Sequence, residues 1–90
     1  GIILYNVRGT VNRSTISANT NEGVSADYAS VINVENTTVA NNAVGVFTSA
    51  GSTVRLGADN IHENTNAFFT SGGGKVISFG NKHVMGNILN

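Results

Sequence analysis

Five carboxylates are the residues of this chain best suited to acid–base or calcium chemistry: Glu22, Asp27, Glu35, Asp59 and Glu63. Hydrolysis of a glycosidic bond needs two carboxyl groups roughly 5 to 10 Å apart, and Ca²⁺ needs several oxygen ligands, usually with more than one carboxylate. In the repeat described below, the five acids fall in different columns, and no two of them are neighbours along a column. We therefore expect no catalytic residue and no calcium site.

Two histidines, His62 and His83, are the candidate nitrogen ligands for a transition metal, and the chain has no cysteine. The histidines flank Ile61 and Val84, which we expect to point inward, on opposite sides. Without a third nitrogen or thiolate ligand nearby, two solvated imidazoles are favoured over a zinc site. The run at 72–75 lacks the GxxxxGK[ST] spacing of a phosphate loop and is interpreted as a turn. We expect no metal and no cofactor.

The charge balance argues against two classes of partner. The formal net charge is zero and only 11% of the residues are charged, so no basic surface for nucleic acid is indicated. The longest apolar run, residues 2–5, is far too short to cross a bilayer. We therefore expect neither nucleic-acid binding nor membrane insertion.

An internal repeat, with a period of 22 to 23 residues, positions these side chains. Segments 31–52 and 53–74 align without gaps in their hydrophobic, asparagine and small-residue positions, so that Val39, for example, falls on Ile61. A small residue begins the same segment of every coil, each one full repeat after the last: Gly1, Gly23, Gly45 and Ala67.

The two outer coils fit this pattern with a slip of one position, which a turn absorbs most easily. In the first coil, the spacing to the equivalent residue of the next coil is 23 residues: Val11 precedes Val34, Ile16 precedes Val39 and Asn19 precedes Asn42 by that distance. The last coil shows the same spacing of 23 residues from the coil before it. The equivalents of Val54, Leu56, Ile61 and Asn64 are there Ile77, Phe79, Val84 and Asn87. We therefore expect Ile77-x-Phe79 to continue the inward positions of Val54-x-Leu56.

Each coil contains three short stretches of alternating hydrophobic residues, which predict three short strands with every second side chain pointing inward. The turns between them are rich in Gly, Ser and especially Asn, of which the chain has 14, and Gly and Asn tolerate left-handed backbone. Proline is absent, as suits strands that pair on both sides. No leucine-rich or helical stripe is present. The sequence predicts an all-β fold, a β-solenoid of about four coils.

The segments VANNAVGVFTS and IHENTNAFFTS carry a pattern that resembles the right-handed parallel β-helix, or pectate-lyase-like, superfamily. The resemblance covers about the whole chain and implies a right-handed parallel β-helix, with stacked asparagines whose amides bond each other along the axis. Lyases of this superfamily use acidic clusters for Ca²⁺ together with a basic residue. Nothing here matches their Asp-rich or Arg-x-Pro-x-x-Arg motifs, so the resemblance bears on architecture more than on activity.

Equivalent residues of successive coils should lie about 4.8 Å apart in columns. The expected inward columns are Ile2/Val24/Val46/Phe68, Val11/Val34/Leu56/Phe79 and Ile16/Val39/Ile61/Val84. The expected polar ladder, for which a structural role suffices, is Asn19/Asn42/Asn64/Asn87.

The outward column most suited to an interaction surface is Ile3/Ser25/Phe47/Phe69, because burial of Val46 and Phe68 pushes the following phenylalanines outward. Three interpretations of Phe47 and Phe69 stay open. A flanking segment or neighbouring subunit covers them, or they form an aromatic face for a carbohydrate or protein ligand, or they lie inside.

The chain is interpreted as one β-helix segment, residues 1–90, either part of a longer solenoid or a unit of an end-to-end assembly, since uncapped solenoid ends expose sheet edges. We expect a structural and interactive segment of a secreted or surface protein, of bacterial or phage-like origin, that self-associates or binds a glycan or protein. The alternative is a fragment of a polysaccharide lyase or glycoside hydrolase on the same scaffold.

Overall fold

The computed structural model describes residues 1–78 and 83–86, in which the chain forms twelve strands and no helix. Every pairing between these strands is parallel, and each strand pairs with its equivalent in the next coil. The chain is a β-solenoid of about four coils with three strands per coil, as the repeat predicts.

The twelve strands form three four-stranded sheets, here called the first, second and third sheet. The first sheet contains β1 (Ile2–Tyr5), β4 (Glu22–Asp27), β7 (Val44–Thr48) and β10 (Asn66–Thr70). The second contains β2 (Arg8–Asn12), β5 (Val31–Glu35), β8 (Thr53–Gly57) and β11 (Lys75–Ser78). The third contains β3 (Thr15–Ser17), β6 (Thr38–Ala40), β9 (Asn60–His62) and β12 (His83–Met85).

The core is made of columns of inward side chains, and each of the three sheets contributes such columns. Two predicted columns are confirmed over four coils, Ile2/Val24/Val46/Phe68 and Ile16/Val39/Ile61/Val84, and a third is confirmed over three, Val11/Val34/Leu56. Side chains of the two middle coils are fully buried, whereas Ile2, Phe68 and Val84 at the two ends are only partly buried. Since full burial of one such side chain contributes roughly 1.5–3 kcal/mol, the middle coils supply most of the hydrophobic stabilisation.

The prediction that Ile77-x-Phe79 continues the inward positions of Val54-x-Leu56 is wrong. Val76 pairs with Val54 and Ser78 with Leu56, while Ile77 pairs with outward Arg55 and is exposed; Phe79 lies outside the described residues. The reason is the preceding turn, which has the same length in both coils. The Gly74 N–H donates to Ser71 O at 2.8 Å, as the Ser52 N–H does to Ser49 O at 3.0 Å.

The slip of one position therefore falls later than expected. The spacing of the middle coils is kept through β11, where Val76 pairs with Val54, and it is one position longer at β12, where Val84 pairs with Ile61. The extra residue lies between Ser78 and His83.

The turns between strands share one backbone feature, a residue with positive φ at the same place in successive coils. At the turn after the first-sheet strands, these residues are Asn6, Tyr28, Ala50 and Gly72, with φ between 50° and 56°. After the second-sheet strands they are Arg13, Asn36 and Ala58, and after the third-sheet strands Ala18, Asn41, Glu63 and Gly86. Left-handed backbone is the conformation that Asn and Gly tolerate best. Asn or Gly occupies five of these eleven positions, and Ala, Arg, Tyr or Glu occupies the other six.

Candidate interaction surface

The outer face of the first sheet carries the column of hydrophobic side chains that the sequence predicts. Ile3 pairs with Ser25, Ser25 with Phe47, and Phe47 with Phe69. Ile3 is 72% exposed and Phe69 48% exposed, whereas Phe47 is partly buried. The interpretation that the two phenylalanines lie inside the solenoid is therefore wrong, and they point outward.

The two phenylalanine rings stack on each other along the solenoid axis. Their centroids lie 5.5 Å apart and their planes differ by only 17°. Parallel strands hold equivalent residues of adjacent coils about 4.8 Å apart, so this backbone spacing imposes the stacking. Such offset aromatic pairs contribute about 0.5–1.5 kcal/mol beyond burial of their area. The backbone thus brings the two rings into stacking distance without a partner.

A second aromatic pair, which the repeat does not predict, lies at the edge of the same sheet. Tyr5 ends β1 and Tyr28 stands in the turn that follows β4, and their ring centroids are 4.2 Å apart at a tilt of 43°. Both rings are more than half exposed. The pKa of the Tyr5 phenol is raised, mainly by hydrogen bonding to Tyr28 and further by desolvation and by the negative charge of Asp27.

A polar column accompanies the tyrosines. Tyr5 pairs with Asp27, whose Oδ1 accepts hydrogen bonds from the Ser49 hydroxyl and, at 2.9 Å, from the Tyr28 N–H. The recurrence of a polar residue one repeat after Asp27, at Ser49, was the sequence signal for this contact. The aromatic face, defined as Ile3, Tyr5, Tyr28, Phe47 and Phe69, thus has hydroxyl and carboxylate groups beside it.

The asparagines predicted to form a ladder bond each other at the turn before the first-sheet strands. The Asn19 amide donates to Asn42 Oδ1 at 2.7 Å, and the Asn42 amide donates to Asn64 Oδ1 at 3.1 Å. The same oxygens accept the backbone N–H groups of Asn19 and Asn42, both at 3.0 Å. The remaining predicted member, Asn87, lies outside the described residues. The contacts account for these residues structurally, because each buried amide is satisfied within the turn.

The asparagines also bear on two of the small residues that begin the coils, Gly23 and Gly45. A Cβ at Gly23 would lie 2.8 Å from Asn42 Nδ2, and one at Gly45 would lie 3.1 Å from Asn64 Nδ2 and 2.7 Å from Ala67 O. A side chain at Gly23 or Gly45 would therefore displace an asparagine amide or the backbone.

Two further polar columns were missed at the other turns. At one turn the Ser30 N–H donates to the Ser52 hydroxyl at 3.0 Å. At the other, the Ser14 N–H donates to Thr37 Oγ1 at 3.4 Å and the Thr37 N–H donates to Asp59 Oδ1 at 2.9 Å. The signal was again a small polar residue recurring in adjacent repeats, at Ser30 and Ser52 for one turn and at Ser14, Thr37 and Asp59 for the other.

Asp59 is the buried acid of this group, with 1% of its surface exposed. Burial raises its pKa above the ordinary value, hydrogen bonds from the Thr37 and Gly57 N–H groups oppose the rise, and the charge of Glu35 adds to it. The carboxylate thus occupies a structural position in the turn, where a serine or threonine stands in the preceding coils.

The remaining residues considered for chemistry lie apart. Asp27 pairs with Tyr5, Glu35 pairs with Gly57, and Glu22 pairs with Val44, so these acids stand in separate columns as predicted. His62 pairs with Met85 and His83 with Asn60, which places the histidines in different columns of the third sheet. Across residues 1–78 and 83–86, no three His, Cys, Asp or Glu residues are grouped as metal ligands. No helix in those ranges is long and apolar enough to cross a bilayer.

Comparison with known proteins adds no relative: no family model matches the chain, and no curated protein or solved structure is significantly similar to it.

Proposed function

We propose that this chain is a structural and interactive β-solenoid segment that binds a partner through the aromatic face of its first sheet. One observation carries the proposal: Phe47 and Phe69 are held outside the solenoid, stacked at 5.5 Å, although the adjacent inward positions of the same strands are hydrophobic too. Contiguous exposed hydrophobic side chains on a folded protein mark interaction sites.

The rigidity of the face favours binding. Strand pairing between β7 and β10 sets the spacing of the phenylalanine pair, and both aromatic pairs pack ring against ring. Side chains that are ordered before binding lose less conformational entropy when a partner arrives.

The chemistry around the rings favours a glycan as the partner. A sugar offers apolar C–H faces together with hydroxyl groups, and the aromatic face offers rings beside the hydroxyls of Tyr5 and Tyr28 and the Asp27 carboxylate. Aromatic rings with polar tips suit surfaces that are apolar at one place and wet at the next. A protein partner would bind the same surface, and the experiment below distinguishes a glycan partner from a protein partner.

The test is binding of the purified chain to a panel of polysaccharides and to immobilised surface proteins, with Phe69→Ala as the key variant. Ile77→Ala is the matched control, because Ile77 is an exposed aliphatic residue on a different sheet. Loss of at least about tenfold in affinity for Phe69→Ala alone supports the proposal, as expected for truncation of an interface anchor. Equal effects of both variants, or no binding to any member of either panel, overturn it.

We also propose kinship with the right-handed parallel β-helix superfamily and an extracellular or cell-surface location. The recurring VANNAVGVFTS pattern and the bonded asparagines support the kinship, and the location follows from the proposed glycan partner. Sustained depolymerisation of a polysaccharide by the purified chain would replace this proposal with the alternative, a fragment of a carbohydrate-active enzyme.

A further inference from the structure

The tyrosine pair at the edge of the first sheet brings two phenol rings into contact. Tyr5 and Tyr28 are the two tyrosines of the chain, and their ring centroids are 4.2 Å apart, closer than the roughly 4.5–7 Å typical of aromatic pairs. Their phenol groups are also hydrogen-bonded to each other. Because the rings touch and their hydroxyls meet, the ring carbons next to the hydroxyl-bearing carbons lie close together. Phenols couple at these carbons when they are oxidised.

Asp27 holds both tyrosines in place across two adjacent coils. Tyr5 pairs with Asp27 in the first sheet, and the Tyr28 N–H donates to Asp27 Oδ1 at 2.9 Å. The turn beyond Tyr28 is held by the Ala29 N–H, which donates to Ala50 O at 3.0 Å. Strand pairing and one side-chain contact thus bring the rings together without a partner, and reacting groups that are already oriented react faster.

The composition and the exposure of the pair favour oxidation at these rings. Both tyrosines are more than half exposed, so an oxidant in solution reaches them. The chain has no cysteine and no tryptophan, which are the other side chains that give up one electron most readily. Without cysteine, no disulfide can join its coils.

We propose that Tyr5 and Tyr28 form a site for oxidative cross-linking, at which a one-electron oxidant of the peroxidase and hydrogen peroxide class joins the two rings by a carbon–carbon bond. The bond ties the first coil to the second. This site lies beyond the proposed binding function and is independent of any ligand on the aromatic face, because the coupling uses neither Phe47 nor Phe69.

The coupling balances with hydrogen peroxide as the oxidant. Each phenol loses one electron and one proton, and the two phenoxyl radicals form the new bond between the carbons next to their oxygens. The hydrogens on these two carbons then move to the oxygens and restore the phenols, so the chain loses two hydrogens in total. One hydrogen peroxide takes up both electrons and both protons and leaves as two water molecules.

The cross-link stabilises the fold in the way that a disulfide does. It closes the loop between residues 5 and 28, and a closed loop lowers the conformational entropy of the unfolded chain. It also ties β1 to the turn after β4, so that these two segments cannot separate.

The experiment treats the purified chain with a peroxidase and hydrogen peroxide and analyses the products by mass spectrometry. Trypsin cuts after Arg8, Arg13 and Arg55, which leaves one tyrosine in peptide 1–8 and the other in peptide 14–55. We expect a monomer that has lost two hydrogens and in which these two peptides are joined.

Two variants provide the controls. Tyr28→Phe keeps the ring but cannot couple, and it should give no such monomer. The double variant Tyr28→Phe/Phe69→Tyr keeps two tyrosines but places them three coils apart, roughly 14 Å at the spacing of paired strands. Its yield of cross-linked monomer should be at least about tenfold lower than that of the wild type. Circular dichroism checks that both variants fold.

Thermal melts of the monomeric products test the effect on stability. The cross-linked chain should melt at least about 5 °C above the untreated chain. Treated Tyr28→Phe, which shares any oxidation at Met85, should melt with its untreated form. Oxidation that gives only covalent dimers or oxygen-added monomers overturns the proposal, as does equal cross-linking in the double variant. A cross-linked monomer that melts no higher than the untreated chain also overturns it.

Discussion

The side chain of Asn42 accepts a 2.7 Å hydrogen bond from the amide of Asn19, its equivalent in the neighbouring coil. The Asn42 amide in turn bonds Asn64 and the backbone oxygen of Ile16. One side chain thus ties three coils together at the turn that precedes the first sheet. The turn fixes where the strands bearing the aromatic face begin.

Replacement of Asn42 by alanine should be strongly destabilising, because the Asn19 N–H and side-chain amide lose their shared acceptor and the Ile16 carbonyl loses a donor. We expect the free energy of unfolding to fall by about 2–3 kcal/mol in urea titrations. Asn33→Ala is the control, since Asn33 is partly exposed on the outer face of the second sheet and should lose no more than about 0.5 kcal/mol. Comparable losses for the two variants would contradict a structural role for the ladder.

Thr48→Val should stabilise the protein. Among the buried polar atoms described, Thr48 Oγ1 has no hydrogen-bond partner, and an unpaired buried hydroxyl is unfavourable by about 1–3 kcal/mol. We expect a gain of about 1 kcal/mol in the free energy of unfolding.

The matched control for that variant is Thr37→Val. Thr37 is equally buried, but its hydroxyl donates to Glu35 O at 2.8 Å and accepts the Ser14 N–H. This substitution should therefore lower stability by about 1 kcal/mol or more. If both substitutions change stability in the same direction, the hydrogen-bond assignment of the two threonines is wrong.

Ala50→Gly should also stabilise the protein, because Ala50 has φ of 50° and the equivalent residue of the next coil is already Gly72 at 54°. Relief of the left-handed strain should raise the free energy of unfolding by about 0.5–1 kcal/mol, net of the extra flexibility that glycine gives the unfolded chain. Ala43→Gly removes the same methyl group where φ is not positive, and it should be destabilising. A thermal melt of each variant checks the opposite signs.

Asp59 predicts a dependence of stability on pH. Its pKa is raised by burial in the folded protein, whereas in the unfolded chain it should be about 3.9. The folded state therefore binds the proton more tightly, so this group favours folding most at low pH, and its contribution is lost as the pH rises from about 4 through the folded pKa.

The measurement for this prediction is the free energy of unfolding of the wild type and Asp59→Asn at a series of pH values. The wild type should lose stability relative to the variant as the pH rises through that window, because asparagine does not titrate. A difference between the two proteins that stays constant with pH, or changes in the opposite direction, would show that burial does not control this carboxyl group.

The solenoid could be predicted from the sequence because stacked coils of the same shape require a repeated sequence pattern. Side chains of one column share one environment in every coil, so Val39 and Ile61 are both aliphatic and Asn42 and Asn64 are identical. The outward position of Phe47 and Phe69 followed from strict alternation along a strand.

Other features depend on contacts that alternation does not describe. The register of β11 is set by the length of the turn before Lys75. In the sequence, the hydrophobic residues Ile77 and Phe79 instead indicated a register shifted by one residue. Tyr5 and Tyr28 belong to a strand and a turn, so no common column revealed that their rings meet. The polar column through Thr37 uses serine, threonine and aspartate in successive coils, and the column through Ser52 has serine in only two coils, so both give a weaker signal than repeated asparagine.

The most direct test of binding through the aromatic face is an NMR titration of the isotope-labelled chain with a polysaccharide that it binds. The titration maps the residues whose signals shift. Binding through the aromatic face should give the largest shifts at Ile3, Tyr5, Tyr28, Phe47 and Phe69, with little change on the outer faces of the second and third sheets. Shifts concentrated at Arg55 and Ile77, or around His62, would place the binding surface elsewhere and contradict it.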